Sequence, residues 1–213
     1  MTTPPTLILA SGSPRRRDFL TMLGLQFTIC TADIDESPQP NEPPIDLVRR
    51  LSLAKAQAVA HQYPQAVIIA ADTIVVLGEQ ILGKPTHAED AWQMLTQLRG
   101  RDHSVYSSVS LYRQATRQTF TQLKQTTVTM RPYADTEIEA YIASGDPMDK
   151  AGAYGIQNRE FAPVASISGC YANVVGLPLG VLAMGLAQFA ITLENMGSCC
   201  ANFTQQPCCL LDQ

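Results

Sequence analysis

The run at residues 66–76 is the feature of this sequence that most limits its fold. It is almost continuously apolar and rich in β-branched side chains, reading Ala-Val-Ile-Ile-Ala-Ala-Asp-Thr-Ile-Val-Val. A strand with this pattern is buried on both faces, which is typical of the interior of a sheet that helices cover on both sides. We therefore expect an α/β protein with this strand inside its sheet.

Segments with helical and with strand periodicity alternate along the chain. Strands are predicted at 7–10, 26–31, 66–76, 80–82, 103–112, 119–130, 162–167 and 171–175. Helices are predicted at 14–23, 45–62, 88–98 and 135–143, with one more after Pro178. Parallel and antiparallel signals occur together, so the sheet should be mixed. A chain of 213 residues is long enough for one large domain or for one domain with two lobes.

Asp72 is the most informative single residue, because it places a charge in the middle of the buried strand. Burying a carboxylate costs on the order of several kcal/mol unless a cation or a metal ion compensates the charge. A general base or a metal ligand would explain an aspartate at this position. The alternative is a structural aspartate that forms a salt bridge at the end of the strand.

The first helix begins with an unusual concentration of positive charge. Ser13 and Pro14 are favoured at a helix start, and they follow the apolar strand at 7–10 directly. Residues 15–17 are all arginine and fall in the first turn, where they oppose the helix dipole. Helix stability does not explain the cluster, whereas a phosphate bound at the free N–H groups does. A solvated basic turn is the alternative.

Two later stretches carry polar groups suited to a nucleotide. Lys84 lies between Gly83 and Pro85, and because Pro85 replaces the Ser or Thr of a P-loop, Lys84 is a candidate phosphate contact but not part of that motif. Residues 149–157 combine charges and glycines with Gln157. The Gln157 amide has a donor and an acceptor side by side, which suits the N–H and carbonyl edge of uracil or thymine. A solvated lysine and a polar turn are the alternatives.

Charge and motif content argue against several other functions. The net charge of −4 disfavours general binding to nucleic acid or to an anionic membrane. Residues 161–193 lack Asp, Glu, Lys, Arg and His, but prolines and glycines interrupt them, so buried strands and a helix are favoured over a membrane span. No secretory signal is visible, and a cytoplasmic location is expected. No serine or cysteine nucleophile arrangement is present, and His103 is interpreted as structural.

The C-terminal residues are rich in cysteine. Adjacent cysteines chelate a single metal ion poorly, so a zinc site is not predicted, and S-acylation is an alternative. We expect one domain over residues 1–193 and a mobile tail over 194–213. The tail contains Cys199, Cys200, Cys208 and Cys209.

Four blocks, in one order between residues 6 and 190, form a specific combined motif. They are Leu-Ala-Ser-Gly-Ser-Pro-Arg-Arg at 9–16, Ala-Asp-Thr at 71–73, Gly-Lys-Pro at 83–85, and Asp-Lys-Ala-Gly-Ala-Tyr-Gly-Ile-Gln at 149–157 with Asn-Val-Val-Gly-Leu-Pro-Leu at 173–179. Together they resemble the Maf family of nucleoside triphosphate pyrophosphatases. Thr73 and the block at 149–157 are similar to the branch that acts on dTTP and UTP, and differ from the sister branch that hydrolyses 7-methyl-GTP.

The resemblance implies a Maf/ITPase-like α/β fold, with an elongated mixed β-sheet, flanking helices and two lobes around a deep cleft. It also implies a homodimer. The implied reaction is hydrolysis between the α- and β-phosphates, which yields a nucleoside monophosphate and pyrophosphate and uses a divalent cation, Mg²⁺ or Mn²⁺.

Family roles fall on matching residues of this chain. Asp72 matches the proton acceptor, and Asp72 and Glu36 are the expected cation ligands. The implied substrate-specificity residues are Arg15, Thr73 and Gln157. The implied substrate-binding and phosphate-binding residues are Ser11, Arg16, Lys55 and Lys84. Arg17 lies beyond the motif and is expected at the surface. Two other functions stay open at this point: a non-catalytic nucleotide-binding regulator of cell division, and an enzyme for modified pyrimidine nucleotides.

Overall fold

Strand β3 (Val67–Leu77) lies inside the sheet, as its apolar sequence predicts. The computed structural model describes residues 5–193 and, beyond them, Gly197, Cys200, Ala201 and Thr204. The other strands are β1 (Leu7–Leu9), β2 (Phe27–Ile29), β4 (Gln80–Leu82), β5 (Asp102–Arg113), β6 (Gln118–Met130) and β7 (Val164–Ser168). Their order in the sheet is β2-β1-β3-β5-β6-β7. The short strand β4 is not part of this order and pairs with the end of β3.

The sheet is mixed, which confirms the expectation. β1 is parallel to β2 and to β3, whereas β3, β5, β6 and β7 follow one another in antiparallel pairs. Leu9 at the end of β1 lies opposite Ile69, and the Ala10 N–H donates to the Ile69 carbonyl at 2.8 Å. The turn that follows β1 therefore emerges beside the middle of β3, where Asp72 is located.

Helices cover both faces of this sheet. They are α1 (Pro14–Met22), α2 (Pro44–Ala60), α3 (Ala88–Leu98), α4 (Asp135–Ala143), α5 (Tyr171–Val175) and α6 (Leu179–Gln188), and 3-10 turns lie at Asp146–Asp149 and Ala151–Ala153. All of them except α5 and the two turns confirm helices that the periodicity predicts.

The prediction of a strand at 171–175 is wrong. This segment is the helix α5, which contacts with neighbouring parts of the chain stabilise. Gly176 adopts a φ of 116°, and its N–H donates to the Ala172 carbonyl at 3.1 Å, which closes the helical turn. The buried Asn173 donates its side-chain amide to a β5 carbonyl and a β6 hydroxyl, each at 3.0 Å. β7 pairs with β6 on the side away from β5. Apolar content alone does not distinguish a short buried helix from a strand.

β3 runs through both lobes of the molecule. In its first half, Val67 and Ile69 pack in a core with α1 and α6, while Ile68 faces α2 on the other side of the sheet. In its second half, Val75 belongs to a separate core that includes α3 and α4. Asp72 lies between these two halves. The expected two-lobed architecture is therefore present, and Asp72 is at the junction of the lobes.

The uncharged run at 161–193 forms β7, α5 and α6 with their connections. Among the described residues, no helix combines the length and the apolar character needed to cross a bilayer. Of the four tail cysteines, Cys200 is among the described residues, and it is buried in the core that contains α6. A tail that lies outside the fold would not bury a residue at this position. Cys199, Cys208 and Cys209 lie outside the described residues, and the domain boundary at residue 193 stays a prediction.

The buried His103 on β5 should make stability depend on pH. It is 4% exposed, its Nε2 lies 2.7 Å from the Tyr154 hydroxyl, and burial lowers its pKa from 6.5 to about 4 despite an opposing effect of Asp102. Below pH 6.5 the unfolded chain binds a proton that the folded chain does not. The free energy of unfolding should therefore fall between pH 6.5 and pH 4, by up to about 3 kcal/mol.

Thermal unfolding measured from pH 8 to pH 4 tests this expectation. His103→Gln should remove much of the decrease in Tm over that window. His61→Gln, at an exposed histidine, is the matched control and should leave the decrease unchanged. The same pH slope in His103→Gln and in the unmodified protein would contradict the assignment.

Candidate active site

A cleft of about 720 Å³ lies between the lobes. Its walls are the β1–α1 turn, the loop at 31–38, one face of α2, the middle of β3, the turn after β4, the segment 149–157 and the turn after α5. All the site residues predicted from the sequence line it: Ser11, Arg15, Arg16, Glu36, Lys55, Asp72, Thr73, Lys84 and Gln157. Arg17 is exposed outside the cleft, 3.6 Å from Asp18, as expected.

Asp72 is paired with Lys55 at the junction of the lobes. The Lys55 Nζ is 2.6 Å from Asp72 Oδ1 and 2.9 Å from Glu36 Oε1. Lys55 and Asp72 are buried, whereas Glu36 belongs to a loop and is more than half exposed. On α2, Lys55 follows the buried Leu51 by four residues, so both side chains lie on the helix face that packs against β3. One lysine therefore brings two carboxylates to the same point.

Burial controls the protonation of Asp72. Loss of water raises the pKa of this carboxyl above its ordinary value, while the positive charges of Lys55 and Arg16 oppose the rise. A carboxylate with a raised pKa is a stronger proton acceptor than a solvated one. The salt bridge of the structural alternative is present, but Asp72 also lines the cleft, where a base can reach a ligand.

Arg16 is held by three acceptors from different parts of the chain. Its Nε donates to the Gly176 carbonyl at 2.9 Å, its Nη1 to Ser11 Oγ at 3.2 Å and its Nη2 to Thr73 Oγ1 at 3.2 Å. Gly176 has a positive φ, and a Cβ there would lie 3.4 Å from Thr73 Oγ1, so a side chain would be strained and would crowd this contact. The planar guanidinium suits such a set of acceptors. Arg16 is thus fixed as a positive group beside Asp72.

The Thr73 hydroxyl continues this network into the protein. It lies 2.8 Å from Ser107 Oγ, and Ser107 donates its proton to the Asn173 carbonyl at 2.9 Å. Thr73 therefore accepts from Arg16 and donates its one proton to Ser107 or, at 3.4 Å, to the Gly176 carbonyl. Ser107 cannot be predicted from the sequence, because nothing in the alternation of β5 distinguishes it from its serine neighbours.

Arg15 connects the two walls of the cleft. Its Nη1 is 3.1 Å from Asp149 Oδ2, and Asp149 Oδ1 is 2.6 Å from the Nζ of Lys150. Asp149 is more than half exposed, so this ion pair adds little to stability. A phosphate group can therefore compete with Asp149 for Arg15.

Lys84 and Gln157 line the cleft on the side of the second lobe. Both are exposed, and neither forms a hydrogen bond or ion pair with any other residue in the described part of the chain. The Gly152 N–H donates to the Gly83 carbonyl at 3.0 Å, which holds the Lys84 turn beside the segment 149–157. Their polar groups are thus available to a ligand.

Comparison with known protein families gives a match over most of the chain. Residues 6–189 match the family described as Maf-like protein. The chain belongs to the Maf family. A relative from Desulfotalea psychrophila, named dTTP/UTP pyrophosphatase, is 45% identical over 87% of this chain and 95% of its own length. A Myxococcus xanthus relative with the same name is 49% identical over 82% of this chain and 87% of its own. Similarity to the solved Staphylococcus aureus Ham1 protein is lower, with a TM-score of 0.44 and 14% identity over 60% of this chain and 72% of that one.

In this Maf chain, a clamp that the sequence analysis misses holds the loop of Glu36. Arg50 on α2 makes two hydrogen bonds to the Glu42 carboxylate, at 2.6 and 2.7 Å, and a third to the Ser37 carbonyl at 3.0 Å. The bond from Arg50 lowers the pKa of Glu42 to about 2, so the pair is ionised at neutral pH. Ser37 follows Glu36 directly. The clamp therefore fixes the backbone next to Glu36, along a loop path that local sequence does not predict.

Two acidic residues of the cleft, Asp72 and Glu36, can supply part of the ligand set of a cation. Within the described residues, no three His, Cys, Asp or Glu side chains cluster as a metal site. Asp72 and Glu36 both contact Lys55 Nζ, so their carboxylates lie close together on one side of the cleft. Mg²⁺ is often bound by one or two carboxylates plus substrate phosphates. These residues therefore fit a cation that arrives with a nucleotide, and do not form a closed protein site for a resident metal.

Proposed function

We propose that this Maf chain hydrolyses dTTP and UTP to the nucleoside monophosphate and pyrophosphate. The observation that carries the proposal is the buried Asp72, held by Lys55 beside the fixed Arg16 in a cleft of about 720 Å³. A cleft of that volume suits a small molecule of nucleotide size. The names of the two relatives, both similar over more than four fifths of this chain, support the same reaction.

Phosphoryl chemistry of this kind depends on positioning and charge neutralisation more than on a protein nucleophile. In the proposed reaction, Arg15, Arg16 and Lys84 bind the phosphate oxygens. Asp72 accepts a proton from the water that attacks the α-phosphorus, the bond from that phosphorus to the bridging oxygen breaks, and pyrophosphate leaves. Lys55 orients the Asp72 carboxylate and favours its ionised form until the proton is transferred.

The proposed reaction also uses a divalent cation, Mg²⁺ or Mn²⁺. Asp72 and Glu36 would hold it on the protein side, and the substrate phosphates would complete its ligands. When bound, it would neutralise negative charge on the phosphates. The Arg50 clamp would then matter because it keeps Glu36 on the same side of the cleft as Asp72.

Substrate choice is proposed to reside in Gln157, Thr73 and Arg15. The Gln157 side chain is exposed in the cleft and can pair with the N–H and carbonyl edge of a pyrimidine. The Thr73 hydroxyl is held at the cleft by its contacts with Arg16 and Ser107. The homodimer and the cytoplasmic location stay predictions, and light scattering on the purified protein tests the first of them.

A substrate panel tests the proposed function. Purified protein is incubated with dTTP, UTP, modified pyrimidine triphosphates and 7-methyl-GTP, each with Mg²⁺, with Mn²⁺ and with a chelator. We expect pyrophosphate and the monophosphate from the pyrimidine substrates only when a cation is present. Release of orthophosphate, or absence of turnover on every substrate, would exclude the reaction.

Arg16→Lys should weaken substrate binding because lysine keeps the charge, but its single nitrogen cannot reach the three acceptors that Nε, Nη1 and Nη2 of Arg16 contact separately. Loss of charge-assisted hydrogen bonds predicts an increase in KM for dTTP of about 10–100-fold. Arg17→Lys, one residue further along the same helix and outside the cleft, is the matched control and should leave KM unchanged. Equal KM values for Arg16→Lys and Arg17→Lys would show that Arg16 does not bind the phosphates.

A further inference from the structure

The segment that carries Gln157 is anchored by a carboxylate outside the cleft. Asp146 Oδ2 accepts hydrogen bonds from the Tyr141 hydroxyl at 2.7 Å and from Asn158 Nδ2 at 3.2 Å, while Asp146 Oδ1 accepts one from Lys150 Nζ at 3.0 Å. Burial opposes ionisation of Asp146, but these hydrogen bonds and the charge of Lys150 outweigh it and keep its pKa below the ordinary value. Three donors, one from α4, one from within the segment and one from the residue after Gln157, therefore converge on one charged group.

Tyr141 is the second half of this anchor. Its hydroxyl donates to Asp146 and accepts the Gly155 N–H at 3.0 Å. Tyr141 is 4% exposed, and its ring stacks on Phe161 with centroids 4.4 Å apart and an interplanar angle of 18°. Helix α4 therefore presents the hydroxyl from a rigid, packed position.

The contacts of this pair lie on both sides of Gln157 in the chain. Gly155, two residues before it, is bonded to Tyr141, and Asn158, the residue after it, is bonded to Asp146. Neither Tyr141 nor Asp146 lines the cleft. Gln157 itself has no protein partner in the described part of the chain, so its position depends on these flanking bonds.

We propose that Tyr141 and Asp146 are positioning residues that set the place of the Gln157 amide in the cleft and so contribute to pyrimidine selectivity. The inference rests on the proposed function, because it requires Gln157 to contact the base. Both residues act through Gln157 and not on the substrate. Displacement of a contact group by about 1 Å is enough to lower an enzyme's efficiency up to about 100-fold.

Tyr141→Phe is the direct test, since it removes the hydroxyl and keeps the ring that stacks on Phe161. We expect the ratio of kcat/KM for dTTP to that for dATP to fall about tenfold, mainly through KM for dTTP. Tyr133→Phe is the matched control. Tyr133 also contacts Phe161, with ring centroids 4.9 Å apart, but its buried hydroxyl donates to the Leu95 carbonyl at 2.7 Å, away from Gln157. It should lower Tm comparably and leave the ratio unchanged.

Gln157→Ala provides the reference that separates this inference from the proposed function. Because Tyr141 acts through Gln157, adding Tyr141→Phe to Gln157→Ala should produce no further loss of selectivity. Selectivity reduced by Gln157→Ala but not by Tyr141→Phe overturns the positioning role and leaves the proposed function intact. If selectivity is unchanged in both variants, Gln157 does not contact the base, and the inference fails with it. The proposed reaction is then still tested separately, by pyrophosphate release.

A second variant covers the case in which Tyr141→Phe does not fold. Asn158→Ala removes one donor to Asp146 from the opposite side of Gln157, together with the acceptor of the Phe161 N–H at 2.8 Å, and keeps the Tyr141 hydroxyl. It should lower the same ratio in the same direction. An unchanged ratio in a folded Asn158→Ala protein contradicts the proposal independently.

Discussion

Asp72→Asn should lower kcat for dTTP hydrolysis by about 10²–10⁴-fold, the usual contribution of a positioned general base. Asparagine has the shape of aspartate and can still accept a hydrogen bond from Lys55, but it cannot take a proton from water. The phosphate-binding side chains, among them Arg15 and Lys84, are untouched by the change. At a saturating concentration of the divalent cation, KM should therefore change far less than kcat, since the loss falls on the reaction step.

Pyrophosphate release over a range of dTTP concentrations separates the two constants. Asp102→Asn is the control, because Asp102 lies at the exposed start of β5 and away from the cleft. Asp72→Asn leaves the Lys55 ammonium with Glu36, 2.9 Å away, as its remaining ionic partner, so Tm at neutral pH should fall by less than the loss of a buried charge with no partner would cause. A kcat within a few-fold of the unmodified protein would show that Asp72 is not the proton acceptor.

Sequence patterns predict most of the architecture because they report burial. The apolar run of β3 predicts its place inside the sheet, and the 3.6-residue periodicity predicts α2 and α3. The segment 171–175 is the exception. Its sequence is as apolar as that of a buried strand, and the contacts that make it helical come from β5, from β6 and from the backbone of Gly176. Those contacts are tertiary and leave no local signal.

The site divides in the same way. Asp72 and Gln157 can be singled out from their own neighbourhoods in the sequence, and the cleft brings them together. Lys55 could also have been placed toward β3, because it follows Leu51 by four residues on the buried face of α2. Its simultaneous contact with Glu36 could not be predicted, since it depends on the path of an irregular loop. The anchor formed by Tyr141 and Asp146 depends likewise on how the short 3-10 turns that follow α4, and the residues after them, fold back on that helix.

Lys55→Met should lower the free energy of unfolding more than the other substitutions proposed above, because it removes one partner of a buried ion pair. Lys55 and Asp72 are both less than a tenth exposed, and the 2.6 Å contact between them is lost in the variant. Breaking such a pair by deleting one partner typically costs about 3–5 kcal/mol. Methionine has a similar length and is apolar, so the cost comes from the uncompensated carboxylate and not from a cavity. Turnover should fall with stability, since Asp72 is then favoured in its protonated form.

The pH dependence of this loss identifies its cause. Asp72 already has a folded-state pKa above its ordinary value of 3.8, and removal of Lys55 raises that pKa further. The folded variant then holds a proton that the unfolded chain releases, so its stability rises as pH falls through the folded-state pKa toward 3.8. The Tm difference between Lys55→Met and the unmodified protein should therefore shrink on acidification.

The double variant Lys55→Met with Asp72→Asn removes both charges and should recover most of the lost stability at neutral pH, because no unpaired charge is left buried. A double variant as unstable as Lys55→Met would place the stabilising effect of Lys55 in packing, and not in its charge.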